Sequence, residues 1–565
     1  MKRIILSIIT ILGPALFCAC SQAQTESVFE YKEIYLTNAK KQQNLNNIDT
    51  DWGIWGHNLS QVLPKNPSQE IYAQLPKGRD KSQFCFSSPK LYKYIEDYIE
   101  DNFGEDNPQR FAILPNDNPL VCQCMQCTAH GNTAHDASPT VLGLIERLAK
   151  RFPKHLFFTS YYQTTKSIPD RTLPDNTGVL VSAMSYPLSS KVTPQEEEFK
   201  TLLNTWSKRV KHVYVWDYIN NFDDYFTPFP VFEVMQHRLR LYHQMGVSGI
   251  FLNGSGEDYS LFSDIKLHVL SHLLDNPDQD WKPLVKDYCQ DSYPVTGNVI
   301  ADFIIRQESW TKQAGKSLPL YEGVSQAVNK YLPVQDFIAF HDSLQDMLPH
   351  TAKQEKNNVS RMYKAMMLPR LEVNRILGDT TACSYMLQQL ASLNHEGVHV
   401  YSESCWSLDN YVNDYTYICN HAEALQGKNH LKGKQLIPLT PLDEEYNSLT
   451  TITDGLLGLP SNYHCGQLIF STSPVLKIGI PHIIGAKTLR ISFIRNVSFR
   501  IAFPVRVTLR AGKRTLAATP VIDKNCPNRA FVDFNIPSGA YKSLILNIMR
   551  NVDVHSMAID EIEAI

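Results

Sequence analysis

The sequence lacks an excess of charge of either sign. Its 565 residues include 54 Lys and Arg against 57 Asp and Glu, which leaves a formal net charge of −3 at pH 7. Because nucleic acids attract proteins with clustered positive charge, we expect no DNA or RNA partner. The sequence also lacks internal repeats and low-complexity linkers, which excludes a solenoid or another repeat architecture.

Long hydrophobic runs are missing after the first twenty residues. Two basic residues precede an apolar run from Ile4 to Phe17, which is shorter than a membrane span of about 20 residues and is typical of a signal peptide. Cys20 follows Ala19, as at the cleavage site of bacterial lipoproteins. We therefore expect residues 1–20 to be a lipoprotein signal peptide. The mature protein would be held in the cell envelope, periplasmic or on the outer surface, by a lipid on Cys20, with plain secretion as the alternative.

Cysteine is sparse, with 12 residues in the chain, but one cluster has a sharp spacing. Cys122, Cys124, Cys127 and His130 offer three thiolates and an imidazole, which match a closed structural zinc site. Exported proteins also form disulfides, so a disulfide with one free cysteine, or a disulfide to Cys85, is the alternative. Either arrangement would staple the loop that follows residue 117, and no cofactor is expected for catalysis.

Short strand-like segments alternate with helix-length segments in residues 26–294, which predicts a parallel α/β architecture. A (β/α)8 barrel of the TIM type has eight parallel strands, and eight candidates are present. They are FEYKEIYL, DWGIWGHNL, SQFCFSS, RFAILPND, HLFFTSYY, GVLVSAMS, VYVWDY and SGIFLNG.

Two further segments differ in character. Residues 295–432 show helical spacing with few strand signals, which predicts a helical domain. Residues 436–565 contain short β-rich runs without intervening helices, which predicts an antiparallel β-sandwich.

The clearest βαβ unit runs from Val213 to Tyr259. Two strand-like runs, HVYVWDY and GVSGIFLNG, flank a helix-length segment, and parallel strands need such a crossover. Carboxylates follow each strand. In parallel α/β folds, ligands and chemistry collect at the C-terminal ends of strands, so we expect function there.

Several ordered segments resemble one known family. They are WGIWGHNL, GRDKSQFCFSSPKL, ILPNDNPLVCQCMQC, GVSGIFLNGSG and TDGLLGLPSNYHCGQLIF. These segments are similar to the family called domain of unknown function 4838. The resemblance implies a TIM-barrel protein related to glycoside hydrolases. Some members are endo-β-N-acetylglucosaminidases of glycoside hydrolase family 163 that act on complex N-glycans.

Three carboxylates are the candidates for catalysis. Glycoside hydrolysis needs an acid that protonates the leaving oxygen, and a second carboxylate or a substrate acetamido group that meets the developing positive charge. The best-placed carboxylates at predicted strand ends are Asp117, Asp217 and Glu257. In our hypothesis Asp117 orients or stabilises a sugar, Glu257 is the acid, and Asp217 holds a hydroxyl group or tunes a pKa. The structural alternative is that Asp117 caps a turn, because Asn and Asp favour turns.

Four further residues are candidates for substrate binding. His57 lies at a predicted strand end, Tyr162 and Tyr218 could stack on a sugar ring, and Asp258 could replace its neighbour Glu257. Trp216 and Tyr218 flank residue 217, so only one side of that strand can face the site.

These features predict an exported lipoprotein glycoside hydrolase that acts on complex glycans, with N-acetylhexosamine linkages as one target. Its partners would be an oligo- or polysaccharide and the outer membrane, through the lipid anchor. The alternative is a non-catalytic glycan-binding surface protein that uses the same cleft. The two functions differ in whether two carboxyl groups converge across the cleft.

Overall fold

The computed structural model describes residues 28–105, 107–425, 427–443, 448–553 and 555–565. The expected signal peptide and Cys20 lie outside these residues. Within the described ranges, no helix is long and apolar enough to cross a membrane.

A parallel sheet organises the first half of the chain. The strands of this half are β1 (Tyr31–Tyr35), β2 (Trp52–Ile54), β3 (Tyr72–Leu75), β4 (Gly78–Phe84), β5 (Arg110–Ala112), β6 (Leu156–Tyr161), β7 (Thr177–Ser182), β8 (His212–Tyr218) and β9 (Gly249–Asn253). Seven of them form one sheet in the order β1-β9-β8-β7-β6-β5-β2, and every neighbouring pair is parallel. The predicted parallel α/β class is therefore confirmed.

The prediction of a closed eight-stranded barrel is corrected by this topology. The segment SQFCFSS, predicted as a barrel strand, instead contributes to β4, which pairs antiparallel with β3 in a separate hairpin. Leu75 faces Gly78 across this hairpin, and Gly78 has a φ of 125° that suits a glycine in a tight turn. Among the described strands β1 and β2 are not hydrogen-bonded to each other, so the sheet is a half-barrel.

Aromatic side chains fill the inside of this half-barrel. Tyr31 of β1 and Trp52 of β2 pack edge to face with ring centroids 5.7 Å apart, across the gap between the two edge strands. Glycines make room for the rings. A Cβ at Gly178 would lie 2.3 Å from the Phe158 ring, and one at Gly249 would lie 2.5 Å from a Tyr214 ring carbon. The interior is thus a packed core.

Helices cover the sheet and continue beyond it. They are α1 (Ile48–Asp51), α2 (Pro89–Asn102), α3 (Met125–Ala129), α4 (Ser138–Arg151), α5 (Pro194–Ser207), α6 (Phe232–Gln244), α7 (Ser263–Asp275), α8 (Trp281–Ser292), α9 (Gly297–Ala314), α10 (Val324–Lys330), α11 (Val334–Met347), α12 (Lys356–Ala365), α13 (Met367–Ile376), α14 (Cys383–Ala391) and α15 (Leu408–Ala424). One continuous hydrophobic core extends from Phe29 to Cys465 and includes residues of β1, β7, β8 and β9 and of helices α9–α15.

Two antiparallel sheets form the C-terminal part. Their strands are β10 (Ile437–Pro438), β11 (Leu468–Phe470), β12 (Val475–Gly479), β13 (Thr488–Ile494), β14 (Arg506–Ala511), β15 (Arg514–Ala518), β16 (Val521–Ile522), β17 (Arg529–Asn535), β18 (Ser543–Met549) and β19 (Met557–Ala564). The sheet orders are β10-β12-β18-β14-β15 and β11-β19-β13-β17-β16, and both sheets share one hydrophobic core. The predicted antiparallel β-structure is present here, while the domain limits at residues 294, 432 and 436 stay predictions.

Candidate active site

A cleft lies above the packed interior, at the C-terminal ends of the parallel strands. It encloses about 230 Å³, and we call it the strand-end cleft. Its lining residues are His57, Leu114, Asp117, Ser160, Tyr162, Leu180, Ser182, Met184, Trp216, Tyr218, Asn253, Tyr321 and Glu403. Four of the predicted site residues, His57, Asp117, Tyr162 and Tyr218, are therefore brought together in one place.

The floor of the strand-end cleft comes from the ends of β7, β8 and β9. Trp216 and Tyr218 project from β8 on the same side because side chains alternate along a strand. The Tyr218 hydroxyl is 3.2 Å from Oγ of Ser182 at the end of β7. Asn253 ends β9 and adds an amide. The floor thus offers aromatic faces beside hydroxyl and amide groups.

His57 forms one edge of the cleft. Its Nδ1 lies 2.5 Å from the Pro115 carbonyl oxygen, which can only accept, so Nδ1 carries the proton. The other ring nitrogen, Nε2, is then free to accept a hydrogen bond in the neutral form. The His57 ring is 6.3 Å from the Tyr162 ring and 6.5 Å from the Trp216 ring. His57 is thus fixed in a tautomer that can serve a ligand hydroxyl.

Asp117 projects from a loop that other side chains hold in place. Gln83 is buried, donates to the Asn116 carbonyl and to Asn118 Oδ1 at 3.1 Å each, and accepts from the Asn116 N–H at 3.0 Å. Asn118 Oδ1 also accepts from the Leu120 N–H at 3.0 Å. The two asparagines supply these turn contacts, so the exposed Asp117 carboxylate faces the cleft.

Tyr162 lines the cleft together with Asp117. Burial raises the pKa of the Tyr162 hydroxyl, and the negative charge of Asp117 raises it further. The Tyr162 hydroxyl also accepts from Gln163 at 3.1 Å. Tyr162 therefore stays neutral and can donate a hydrogen bond to the carboxylate.

Glu403 is the carboxyl group that sequence reasoning missed. It lies in the loop before α15, outside the segment predicted as a barrel, and its carboxyl lines the strand-end cleft. Its Oε2 is 3.5 Å from the Tyr321 hydroxyl. Glu403 is exposed as a residue, but the partial burial of its carboxyl group raises its pKa. The hydrogen bond with Tyr321 lowers this pKa, and the charges of Asp223 and Asp117 raise it, so that the net shift is upward. Two acidic groups, Glu403 and Asp117, are thus within electrostatic range of each other.

The backbone of Phe222 holds the loops with Tyr321 and Glu403 over the cleft. The Phe222 N–H donates to the Leu320 carbonyl at 2.7 Å, and its carbonyl accepts from the Glu403 N–H at 2.8 Å. The Glu403 loop turns sharply through Cys405, which has a left-handed φ of 56°. Residues with a positive φ other than glycine are uncommon and cluster at functional sites. The only sequence signal is this Ser-Glu-Ser-Cys-Trp turn.

Asp217 lies outside the cleft, in contrast to its predicted catalytic role. It is fully buried, it forms an ion pair with the buried Arg238, and it accepts from the Tyr242 hydroxyl at 2.6 Å. The physical reason is strand alternation. Since Trp216 and Tyr218 face the cleft, Asp217 must point to the helical side of the sheet.

Glu257 also lies outside the cleft. It is exposed on the loop after β9, 3.5 Å from Lys40 Nζ, and lines a different cavity together with Asp264 and Arg361. Glu257 is not among the described residues that line the strand-end cleft, so it is not placed to act as the acid there. Asp258 is half-buried, and burial raises its pKa. It is not among the residues that line the strand-end cleft.

The structure differs from the predicted zinc site in one ligand. The sulfurs of Cys122, Cys124 and Cys127 lie with that of Cys85 within 4.8 Å of one another, and these four could hold a metal ion. His130 is not in this group, because it directly follows α3 and its exposed ring contacts the Gln126 carbonyl oxygen of that helix at 2.7 Å. The prediction of His130 as a ligand is therefore corrected to Cys85.

The fold and the cleft define a class. The protein is an α/β half-barrel protein with carboxyl groups gathered at the C-terminal ends of parallel strands, where barrel enzymes hold their substrates. The chain belongs to the family described as domain of unknown function (DUF4838), whose model matches residues 22–304. The resemblance seen in the sequence is thereby confirmed. The match includes Asp117 and ends before Tyr321 and Glu403.

No curated protein matches the chain. Among solved structures, it is similar to a family GH115 4-O-methyl-α-glucuronidase with specificity for decorated arabinogalactans, at 10% identity and a TM-score of 0.36. This match covers 84% of this chain and 66% of that chain, so the chain spans slightly less than two thirds of that protein. It is also similar to a GH138 enzyme that targets pectin rhamnogalacturonan II, at 10% identity and a TM-score of 0.30, over 84% of this chain and 77% of that chain. The lectin domain of lectinolysin, solved with Lewis B antigen, matches 25% of this chain and 96% of its own, at 12% identity and a TM-score of 0.19.

Proposed function

We propose that the protein is a glycoside hydrolase that acts on complex glycans, and that Asp117 and Glu403 supply its two catalytic carboxyl groups. One observation carries the proposal. Asp117 and Glu403 line the same cleft, and the charge of Asp117 contributes to the raised pKa of Glu403. Most glycoside hydrolases use two such groups, one neutral and one ionised, beside the glycosidic bond.

Glu403 is the proposed general acid. A carboxylic acid protonates a leaving oxygen only while it holds its proton, and burial together with negative neighbours extends that state to higher pH. The Tyr321 hydroxyl, 3.5 Å from Oε2, would orient the carboxyl group. Asp117 is the proposed counter-charge. Its carboxylate would stabilise the positive charge that develops on the sugar ring.

The lining of the cleft suits a sugar. Trp216, Tyr218 and Tyr321 offer apolar ring faces, and Ser182 and Asn253 offer hydrogen bonds to hydroxyl groups. For an N-acetylhexosamine, Asp117 would accept from the acetamido N–H. The acetamido oxygen could then meet the ring cation in place of a protein nucleophile. We propose N-acetylhexosamine linkages as the target on this basis and on the family resemblance.

The test is a screen of the purified protein against N-glycans, mucin glycans and plant polysaccharides, followed by three variants. We expect Glu403→Gln and Asp117→Asn to lower kcat by about 10²–10⁴-fold with an unchanged Tm, because each removes one carboxyl group from the reaction. Glu257→Gln is the matched control, since Glu257 is exposed and lies in another cavity. Full activity of Glu403→Gln would remove Glu403 from the mechanism.

The pH profile gives a second measure in the same experiment. Activity should fall as pH rises through the pKa of Glu403, because the acid is then deprotonated. Asp117→Asn removes a negative neighbour, lowers the pKa of Glu403, and should shift this fall in its residual activity to lower pH. Glycan binding without any release of reducing ends, by the wild type and Glu403→Gln alike, would instead favour the non-catalytic glycan-binding protein.

We further propose that the protein is exported and anchored to the cell envelope by a lipid on Cys20. The support is the basic and apolar N-terminal sequence with Ala19 before Cys20. In a bacterial host the wild type should sediment with the membrane fraction, and Cys20→Ser should appear in the soluble fraction. Equal sedimentation of both forms would exclude the lipid anchor.

A further inference from the structure

We propose that Cys85, Cys122, Cys124 and Cys127 bind one zinc ion, which fastens the loop with Asp117 to the β3–β4 hairpin. We call these residues the thiol cluster. They come from two separate parts of the chain: Cys85 directly follows β4, and the other three lie between β5 and α4. The fold therefore builds the site, and the sequence spacing alone does not show it.

The distances between the sulfurs support a metal centre. Zinc bonds thiolates at about 2.3 Å in a tetrahedron, so two sulfurs on one zinc ion lie about 3.8 Å apart. Cys85 Sγ is 3.7 Å from the sulfurs of both Cys124 and Cys127. All four sulfurs lie within 4.8 Å of one another. Two disulfides would instead separate the four sulfurs into two pairs, each about 2.05 Å apart.

Hydrogen-bond donors surround the sulfurs. The Gln74 N–H donates to Cys122 Sγ at 3.2 Å, and the Cys127 N–H donates to Cys124 Sγ at 3.4 Å. The hydroxyl of Ser87 is 3.0 Å from Cys127 Sγ. Such donors stabilise thiolates, the form in which cysteine binds zinc, and fix the orientation of metal ligands.

The arrangement points to a structural ion rather than a catalytic one. Structural zinc sites are closed by four protein ligands, whereas catalytic sites keep a position for water or substrate. Three of the four cysteines are buried and the fourth, Cys124, is half-buried. The thiol cluster is also separate from the strand-end cleft, because the two share no lining residue.

The zinc ion would fix the position of the Asp117 loop. Cys122 lies five positions after Asp117, and the next residue, Gln123, donates its N–H to the Gln74 carbonyl of β3 at 2.8 Å. Together with the Gln83 contacts, the thiol cluster would tie the loop to the hairpin at two points. This inference does not depend on the proposed hydrolase activity.

Metal analysis of the full-length protein, purified under reducing conditions, tests the proposal. We expect one zinc ion per chain in the wild type and in His130→Ala, and none in Cys85→Ser. His130→Ala is the matched control, because His130 completes the ligand set predicted from the sequence. Loss of zinc in His130→Ala with retention in Cys85→Ser would overturn the proposed ligands. Absence of zinc from the wild type would overturn the proposal, and a thiol count on protein purified without reductant would then show whether the four cysteines form disulfides in its place.

Two measurements keep the test valid if Cys85→Ser does not fold. Cobalt exchanged into the wild type should give the absorption of a tetrahedral site with intense thiolate-to-cobalt charge transfer, and an octahedral spectrum would contradict the site. Ser87→Ala should retain zinc but bind it about 10–100-fold more weakly in a chelator competition, since it removes one hydrogen bond to a ligand. Unchanged affinity in Ser87→Ala would contradict the thiolate contact.

Discussion

The position of Asp217 on β8 keeps its carboxylate away from a ligand in the strand-end cleft. Asp217 and its two neighbours occupy successive positions on one strand, and the pleat sends Trp216 and Tyr218 to the cleft and Asp217 to the opposite side. There it neutralises Arg238, which has no exposed surface. An acidic residue at a strand end is therefore a structural counter-ion here.

This geometry predicts a large effect of Asp217 on stability. In Asp217→Asn the buried Arg238 loses its counter-charge, and breaking a buried ion pair from one side lowers the free energy of unfolding by about 3–5 kcal/mol. Urea unfolding at pH 7 would measure the loss, with the surface variant Glu257→Gln expected within about 0.5 kcal/mol of wild type. A change in kcat for folded Asp217→Asn, at unchanged stability, would return Asp217 to the catalytic residues.

Glu403 illustrates the limit of sequence reasoning at the same scale. Asp117 could be predicted because it follows a recognisable strand, and the C-terminal ends of parallel strands meet at one edge. Glu403 follows no strand of the sheet, and its position depends on a hydrogen bond from its N–H to the distant Phe222. The local sequence pattern around Glu403 gives no signal of a contact with a residue so far away in the chain.

At the scale of elements, the hairpin of β3 and β4 shows why seven strands were found where eight were predicted. Apolar and aromatic residues in SQFCFSS correctly indicate a strand, but a strand pattern does not name its partner. A short turn with Gly78 brings β3 beside β4, and a connection this short is enough to join two antiparallel strands. β4 therefore pairs with β3 and not with a strand of the parallel sheet.

The contacts between the hairpin and the Asp117 loop predict that a substitution outside the strand-end cleft will make this loop more mobile. Gln83 of β4 is 1% exposed and makes three hydrogen bonds to Asn116 and Asn118. Gln83→Ala leaves the Asn116 N–H unpaired, which should lower the free energy of unfolding by about 1–3 kcal/mol. Amide hydrogen exchange over residues 114–120 should speed up, whereas the exposed control Gln43→Ala should not change it. Unaltered exchange in Gln83→Ala would show that other contacts hold the loop.

At the scale of the whole molecule, the cleft belongs to two parts of the chain that share one core. Sequence periodicity predicted an α/β, a helical and a β-rich segment in this order, because each type has its own hydrophobic pattern. It did not reveal that helices α9–α15 pack into the same hydrophobic core as β1, β7, β8 and β9, since packing between segments leaves no periodic signal. The family match covers only the first of these parts.

The two hydrogen bonds of the Phe222 backbone have a consequence for biosynthesis. A ribosome that has not reached residue 403 has made the seven strands of the parallel sheet but not the proposed proton donor. Under the proposed mechanism, nascent or truncated chains that end before Glu403 cannot hydrolyse a glycan. The proposed acid joins the cleft only when the loop before α15 forms its hydrogen bond to Phe222.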